Sequence, residues 1–167
     1  MAVLPVRRFP DPLLKTTTHA VDPDAPSVRR LIEDLIATMR HHPRCVGLAA
    51  PQVGQLLRVA VVDVTGHPKA EQSHGLLVLV NPRLTTREGV RMQREGCLSV
   101  PDLTGNVNRA VRVHVEAWDA SGIRWSRWLE GFEAVAVQHE LDHLDGTLFL
   151  DRVVNVRTDV FRRKRYA

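Results

Sequence analysis

The residues best suited to chemistry are His139-Glu140-Leu141-Asp142-His143, which match the metal-binding pattern H-E-x-x-H. Residues four apart on a helix stand one turn above each other, so the imidazoles of His139 and His143 can bind one cation. Glu140 lies about 100° around the helix axis, where its carboxylate can accept a proton from an attacking water molecule. The spacing therefore predicts a catalytic metal site with a general base beside it.

A third ligand is needed to distinguish this site from two histidines on a surface or in a core. No histidine follows His143, and the later aspartates lack the context of a metalloprotease. Upstream, Cys97 stands between a glycine and a short turn, and its thiolate would complete a Cys-His-His set with the fourth position open to water. Alone, Cys97 is better interpreted as a small buried hydrophobic residue, but the combination favours a ligand.

Two helices are predicted to position these residues. Residues 27–40 carry apolar side chains at i, i+3, i+4 and i+7, which predicts an amphipathic helix in the N-terminal part of the chain. Between Gly131 and Gly146 the period is again about 3.6, and both histidines lie on one apolar stripe. Gly146 is a plausible stop signal for this second helix.

The remaining apolar segments predict antiparallel strands. Residues 57–63 and 76–80 are short β-branched and leucine-rich runs, and residues 111–117 and 123–129 alternate like a hairpin with one buried face. There is no internal repeat, linker or second core. We therefore predict one α+β domain over residues 1–167, with antiparallel strands packed around the histidine-bearing helix.

The composition restricts the class of protein. With 44% hydrophobic and 25% charged residues, the chain resembles ordinary globular domains. No apolar run approaches the ~18–20 residues of a membrane span, and the first residues lack the order of a secretory signal, so we expect no membrane contact and a cytoplasmic location. The two cysteines are then expected to be thiols.

The formal net charge is +4, and the basic excess is concentrated in residues 162–165. A basic tail can contact the ribosome or nucleic acid, but four charges are more often a solvated chain end. We expect at most a transient ribosome contact and no specific nucleic-acid binding.

The sequence resembles the peptide deformylase family over nearly its whole length. Three segments carry the resemblance in the family's order, namely Gly-Leu-Ala-Ala-Pro-Gln at 47–52, Glu-Gly-Cys-Leu-Ser at 95–99 and Gln-His-Glu-Leu-Asp-His at 138–143. Residues 9–14 and Asn81-Pro82 also resemble family segments.

The resemblance implies an enzyme that removes the formyl group from the N-terminal formylmethionine of nascent polypeptides and releases formate. Glu140 would act as general base and then return the proton to the departing amine. The Leu98 backbone N–H, the Gln52 side-chain amide and the metal would stabilise the oxyanion. Gly47 would allow its backbone to approach the substrate closely.

Substrate and metal preference follow from the same resemblance. An apolar pocket is expected for methionine, and Phe132, Val135 and Ala136 are candidate wall residues, although such a stripe is core by default. One divalent metal is implied. The ligand types suit Zn²⁺, whereas the family implies Fe²⁺ in the cell, with Zn²⁺ or Ni²⁺ in purified samples.

Three positions depart from the family pattern. Cys45 replaces a usual glycine, Gln93 replaces a commonly apolar residue, and Thr104 stands where many relatives carry a peptide-holding arginine. These changes leave open a divergent paralogue that acts on another formylated amine, and less readily a metalloprotease. Cys45 also forms, with His41 and His42, a second and weaker set of metal-ligating residue types.

Overall fold

The computed structural model describes residues 1–164, within which the chain forms three α-helices and eight β-strands. The helices are α1 (Pro26–His41), α2 (Gly131–Leu144) and α3 (Phe149–Arg152). The strands are β1 (Gly47–Ala49), β2 (Val59–Val62), β3 (Leu77–Glu88), β4 (Arg91–Cys97), β5 (Val100–Arg109), β6 (Arg112–Trp118), β7 (Arg124–Glu130) and β8 (Val160–Arg162). The predicted α+β class is confirmed. None of the helices in this part of the chain is long and apolar enough to cross a membrane.

The first sheet has the strand order β1-β2-β3-β6-β7, and all its neighbours are antiparallel. Both of its faces are covered. Ala60 and Val62 pack in the cluster that contains α2, whereas Val59 and Val61 pack in the cluster that contains α1. A sheet covered on both faces needs apolar residues at successive positions, which is why β2 shows no alternation in the sequence.

The predicted hairpin corresponds to β6 and β7, which pair from Arg112 opposite Glu130 to Trp118 opposite Arg124. Residues 113, 115 and 117 of β6 are buried as expected. On β7 the alternation is weaker, because Ile123 is exposed and precedes the strand, while Leu129 is buried.

A second sheet, with the order β4-β5-β8, was not predicted. Its strands read Arg-Met-Gln-Arg-Glu-Gly-Cys, Val-Pro-Asp-Leu-Thr-Gly-Asn-Val-Asn-Arg and Val-Phe-Arg, with charged and glycine residues in place of a clean apolar alternation. This sheet packs with α3 in a small core that includes Cys97, Val107 and Phe149. The cysteine motif therefore lies at the end of strand β4.

Helix α2 is the central element. Its residues from Glu133 to Leu144 are buried, apart from the partly buried His139, so burial extends beyond the predicted stripe to nearly the whole circumference of the helix. The Gln138 side chain anchors the helix because its Oε1 accepts from the Ala110 N–H at 3.0 Å and its Nε2 donates to the Ala110 carbonyl at 2.9 Å. Gly146 follows the helix with φ of 71°, as a stop signal should.

Candidate metal centre and catalytic site

The two sheets and α2 bring Cys97, His139 and His143 together. One ligand atom from each residue lies within 4.8 Å of the other two, and the Cys97 Sγ is 3.3 Å from His143 Nε2. Cys97 comes from the end of β4, whereas the histidines stand one turn apart on α2. Among the residues that the structure describes, this is the group with metal-ligand geometry, so the weaker set around Cys45 does not form.

The donor atoms of this cluster suit a bound cation. Burial raises the pKa of the Cys97 thiol, but the electrostatic interaction with His143 and the hydrogen bond with His139 outweigh it and hold this pKa well below its usual range. Burial lowers the pKa of His139, but the contacts with Cys97 and Glu95 outweigh it and raise this pKa well above its ordinary value. A thiolate and two imidazoles are the donors that divalent transition metals accept, so the residues present fit such an ion.

The orientation of His139 is set by Glu95, whose Oε1 lies 2.8 Å from the histidine Nδ1. Arg109 donates two further hydrogen bonds to this carboxylate, at 2.6 and 2.8 Å. Burial raises the pKa of Glu95, but Arg109 and His139 outweigh it and lower the value to about 2. An ionised Glu95 keeps the proton on Nδ1 and leaves Nε2 of His139 for a metal.

Arg109 also connects this site to the second acidic residue of the motif. Its Nη1 donates to Asp142 at 2.6 Å, and Asp142 accepts two more hydrogen bonds from Arg152 at 2.6 and 2.7 Å. The buried residues Glu95, Arg109 and Asp142, together with the more exposed Arg152, therefore join β4, β5, α2 and α3. The sequence analysis missed this group. The only signal in the sequence was that Glu95 and Asp142 stand close to the ligands, and a buried carboxylate needs a cationic partner.

Glu140 lies beside the metal cluster with only 4% of its surface exposed. Burial raises the pKa of its carboxyl group to about 7. Its Oε2 is buried and has no hydrogen-bond partner among the described residues, so this oxygen is available to an incoming polar group. A carboxylate with these properties can exchange a proton near neutral pH.

The structure gives a reason for a glycine at position 47 that the sequence did not indicate. A Cβ atom at this position would lie 2.5 Å from Oε1 of Glu140. The missing side chain therefore makes room for the Glu140 carboxylate, in addition to any close approach of a substrate to the backbone.

Gln52 is almost fully buried. Its Oε1 accepts from the Ala49 N–H at 3.0 Å, which turns its Nε2 toward Cys97 Sγ at 3.5 Å and Ser99 Oγ at 3.2 Å. Leu98 follows Cys97 and lines the same cavity as Gln52. The structure thus brings both candidate oxyanion donors to the metal cluster.

These groups line a cavity of about 970 Å³. Its wall includes the three candidate pocket residues Phe132, Val135 and Ala136, next to His139 and Glu140. Two of the departures from the family pattern, Cys45 and Thr104, also line it, whereas Gln93 is absent from the described lining residues.

Cys45 occupies the wall of this cavity as a neutral group. Burial raises the pKa of its thiol to about 12, and the thiol donates to the Gly47 carbonyl at 3.1 Å. The extra side chain is therefore held by the backbone of β1 and carries no charge near the metal cluster.

Residues 3–159 match the family model described as polypeptide deformylase. The chain belongs to the peptide deformylase family. It is therefore an enzyme, a hydrolase of protein biosynthesis. Deformylases are metal-dependent, and Cys97, His139 and His143 form the cluster at which this chain can hold a metal.

Individual deformylases are similar along the whole chain. The peptide deformylase of Thermodesulfovibrio yellowstonii is 40% identical and the alignment covers 98% of this chain and 97% of the relative. Peptide deformylase 2 of Xanthomonas campestris is 39% identical, with 98% and 95% covered. The crystal structure of the Thermotoga maritima deformylase superposes with a TM-score of 0.84 at 33% identity, covering 93% of this chain and 100% of that one.

A further solved relative carries a peptide. The class I type b peptide deformylase from Acinetobacter baumannii, solved with Met-ala-ser bound, has a TM-score of 0.84 and 35% identity to this chain. The superposition covers 91% of this chain and 99% of the relative.

We predict that Arg109→Leu lowers the free energy of unfolding by about 3–5 kcal/mol, because it leaves buried carboxylates without their shared cation. Arg112→Leu is the matched control, since Arg112 also bridges two carboxylates but has 38% of its side chain exposed against 3% for Arg109. The control should cost at most about 1 kcal/mol. Urea denaturation measures both, and equal losses would contradict the assignment of Arg109 as the central cation.

Proposed function

We propose that this chain hydrolyses the formyl group from the N-terminal formylmethionine of nascent polypeptides and releases formate. The observation that carries the proposal is the buried Glu140, whose Oε2 has no partner among the described residues, beside the Cys97, His139 and His143 cluster. Membership of the deformylase family supports the same substrate.

We also propose that residues 1–167 act as one catalytic domain in the cytoplasm, where nascent chains are made. The single-domain proposal is supported by the way the site is assembled. Helix α2 packs on the first sheet and carries the two histidines, whereas Cys97 comes from the second sheet. Neither sheet could form the cluster without the other.

Cys97, His139 and His143 are proposed to hold one divalent metal, Fe²⁺ in the cell, which Zn²⁺ or Ni²⁺ can replace in purified protein. Such an ion supplies Lewis acidity, which polarises the formyl carbonyl and makes a water molecule nucleophilic near neutral pH. The proposal rests on the donor types and on the Glu95 contact that leaves Nε2 of His139 free.

The protein groups then have separate tasks. Glu140 accepts a proton from the water that attacks the formyl carbon, and it returns a proton to the amine nitrogen as the carbon–nitrogen bond breaks. The Nε2 of Gln52 and the backbone N–H of Leu98 would donate to the oxyanion that forms. Because the Gln52 amide is already held by Ala49, it needs little reorganisation to do so.

The substrate is proposed to lie between the two sheets. In the described part of the chain, β1 and β4 are edge strands, and residues of both line the cavity. An extended peptide can bind backbone groups at such edges. The methionine side chain would then contact Phe132, Val135 and Ala136. The Met-ala-ser ligand of the Acinetobacter relative is the sequence that deformylation of formyl-Met-Ala-Ser would leave.

The proposed function is tested by measuring formate release from formyl-Met-Ala-Ser by metal-loaded protein, with casein cleavage and RNA binding measured in parallel. We expect formate without casein cleavage or specific RNA binding. Casein cleavage would favour a metalloprotease. A metal-loaded protein that releases formate only from another formylated amine would favour a divergent paralogue.

We predict that the purified chain binds one divalent metal per molecule, and that Cys97→Ala, His139→Ala or His143→Ala each abolishes this stoichiometric binding. Cys45→Ala is the matched control, because Cys45 lines the same cavity without joining the cluster. Elemental analysis of the purified variants measures the metal. Full occupancy in Cys97→Ala, or loss in Cys45→Ala, would show that the ligand set is wrong.

We predict that Glu140→Ala keeps the metal but lowers kcat by ~10²–10⁴-fold, which is the usual contribution of a general acid or base.

Gly47→Ala should also keep the metal and lower kcat, by up to ~10²-fold, because its Cβ would displace the Glu140 carboxylate. In Gly66→Ala the added Cβ meets no atom within 4 Å, but the φ of 75° strains the backbone, so this variant controls for loss of turnover through lowered stability away from the site. Normal turnover in Gly47→Ala would refute this role of the glycine.

A further inference from the structure

Four cationic side chains lie together at one edge of the cavity. The cations that line it include Arg94 on β4, and Arg162, Arg163 and Lys164 at and beyond β8. We refer to these four residues as the cationic edge. The carboxylates that line the cavity, among the described residues, are Glu95 and Glu140, and both are buried in the catalytic site.

The cationic edge is built by the second sheet. The backbone N–H of Arg163 donates to the Asp102 carbonyl at 2.8 Å, which continues the pairing of β8 with β5. Thr104 lies between Gly96 on β4 and Phe161 on β8 in this register. The start of the basic segment is therefore paired with a sheet, although Arg162 and Lys164 are exposed as expected of a solvated chain end. Its last residue, Arg165, lies outside the described residues.

The side chain of Arg163 returns across this sheet toward the metal ligand. A Cβ at Gly96 would meet the Arg163 guanidinium first and Thr104 next, so the guanidinium covers the glycine that precedes Cys97. Arg163 is half-buried there, and none of the ion pairs found among the described residues includes it. Arg94, by contrast, donates to Asn106 at 2.9 Å and stacks over Phe161.

A half-buried guanidinium without an anionic partner is an anion-recognition group. If the formyl group lies at the metal cluster and the methionine lies against the Phe132 wall, the cationic edge is one of the two remaining walls along which the following residues can pass. The other wall includes Arg44 and Lys69. We propose that Arg163 binds an acidic group in the residues that follow formylmethionine, so that the enzyme prefers acidic N-terminal sequences. This proposal rests on the proposed function. Arg163 would supply a positive charge next to Thr104, the uncharged residue that stands where many relatives carry a peptide-holding arginine.

The test compares formyl-Met-Glu-Glu amide with formyl-Met-Gln-Gln amide, which have the same shape and differ in charge. We expect the wild-type enzyme to have a KM about 5- to 10-fold lower for the Glu peptide, and the difference should shrink at high salt. In R163Q the ratio of the two KM values should fall toward one, with the change in KM rather than kcat. R163K should retain part of the preference.

R157Q is the matched control, because Arg157 is an exposed cation of the same chain segment that does not line the cavity. It should keep the wild-type ratio. A wild-type ratio of one, or the same ratio in R163Q and R157Q, would overturn the proposal. A failure of the proposed function looks different, since metal-loaded wild-type enzyme would then release no formate from either peptide.

Discussion

A single buried cation, Arg109, holds the catalytic half of this molecule together. It bonds to Glu95 on β4 and to Asp142 on α2, and through Asp142 it reaches Arg152 on α3. Removing these charges from water is costly, and a hydrophobic cluster of equal volume could stabilise the fold as well. A hydrophobic cluster could not, however, keep Glu95 ionised, and an ionised Glu95 is needed to accept the hydrogen bond from His139. The network is best understood as the support that orients a metal ligand.

The position of α2 explains why the site is both closed and reactive. Because the helix is covered on nearly all sides, Glu140 is removed from water, and the same burial that raises its pKa fits it for proton transfer near neutral pH. Burial would be destabilising for an arbitrary carboxylate. Here Gly47 provides the space, so the helix can carry an acid in its buried face.

The sequence was sufficient for the parts of the molecule that depend on local pattern. The histidine pair, its helix and the amphipathic α1 follow from a 3.6-residue period, and the stop at Gly146 follows from its backbone freedom. The second sheet was missed because its strands are rich in polar residues and are stabilised by pairing that the sequence does not show. Arg109 was missed for a similar reason, since its partners come from segments far apart in the chain. The roles of Gly47 and Arg163 depend on which side chains face them across the cavity, and that is a property of the tertiary structure.

The placement of Glu95 and Cys97 two residues apart on β4 has a consequence for how this sequence can change in evolution. The pairing of β4 with β5 shifts register between Gly96 and Cys97, yet Glu95 and Cys97 are both buried and both lie against the histidines, whereas Gly96 is exposed. Loss or gain of one residue within the paired part of β4 would exchange the two faces and remove both groups together. The turn around Gly89, which has φ of 67° and lies between β3 and β4, has no such constraint. Insertions and deletions among relatives of this chain should therefore occur at that turn, and selection should remove those that fall within the strand.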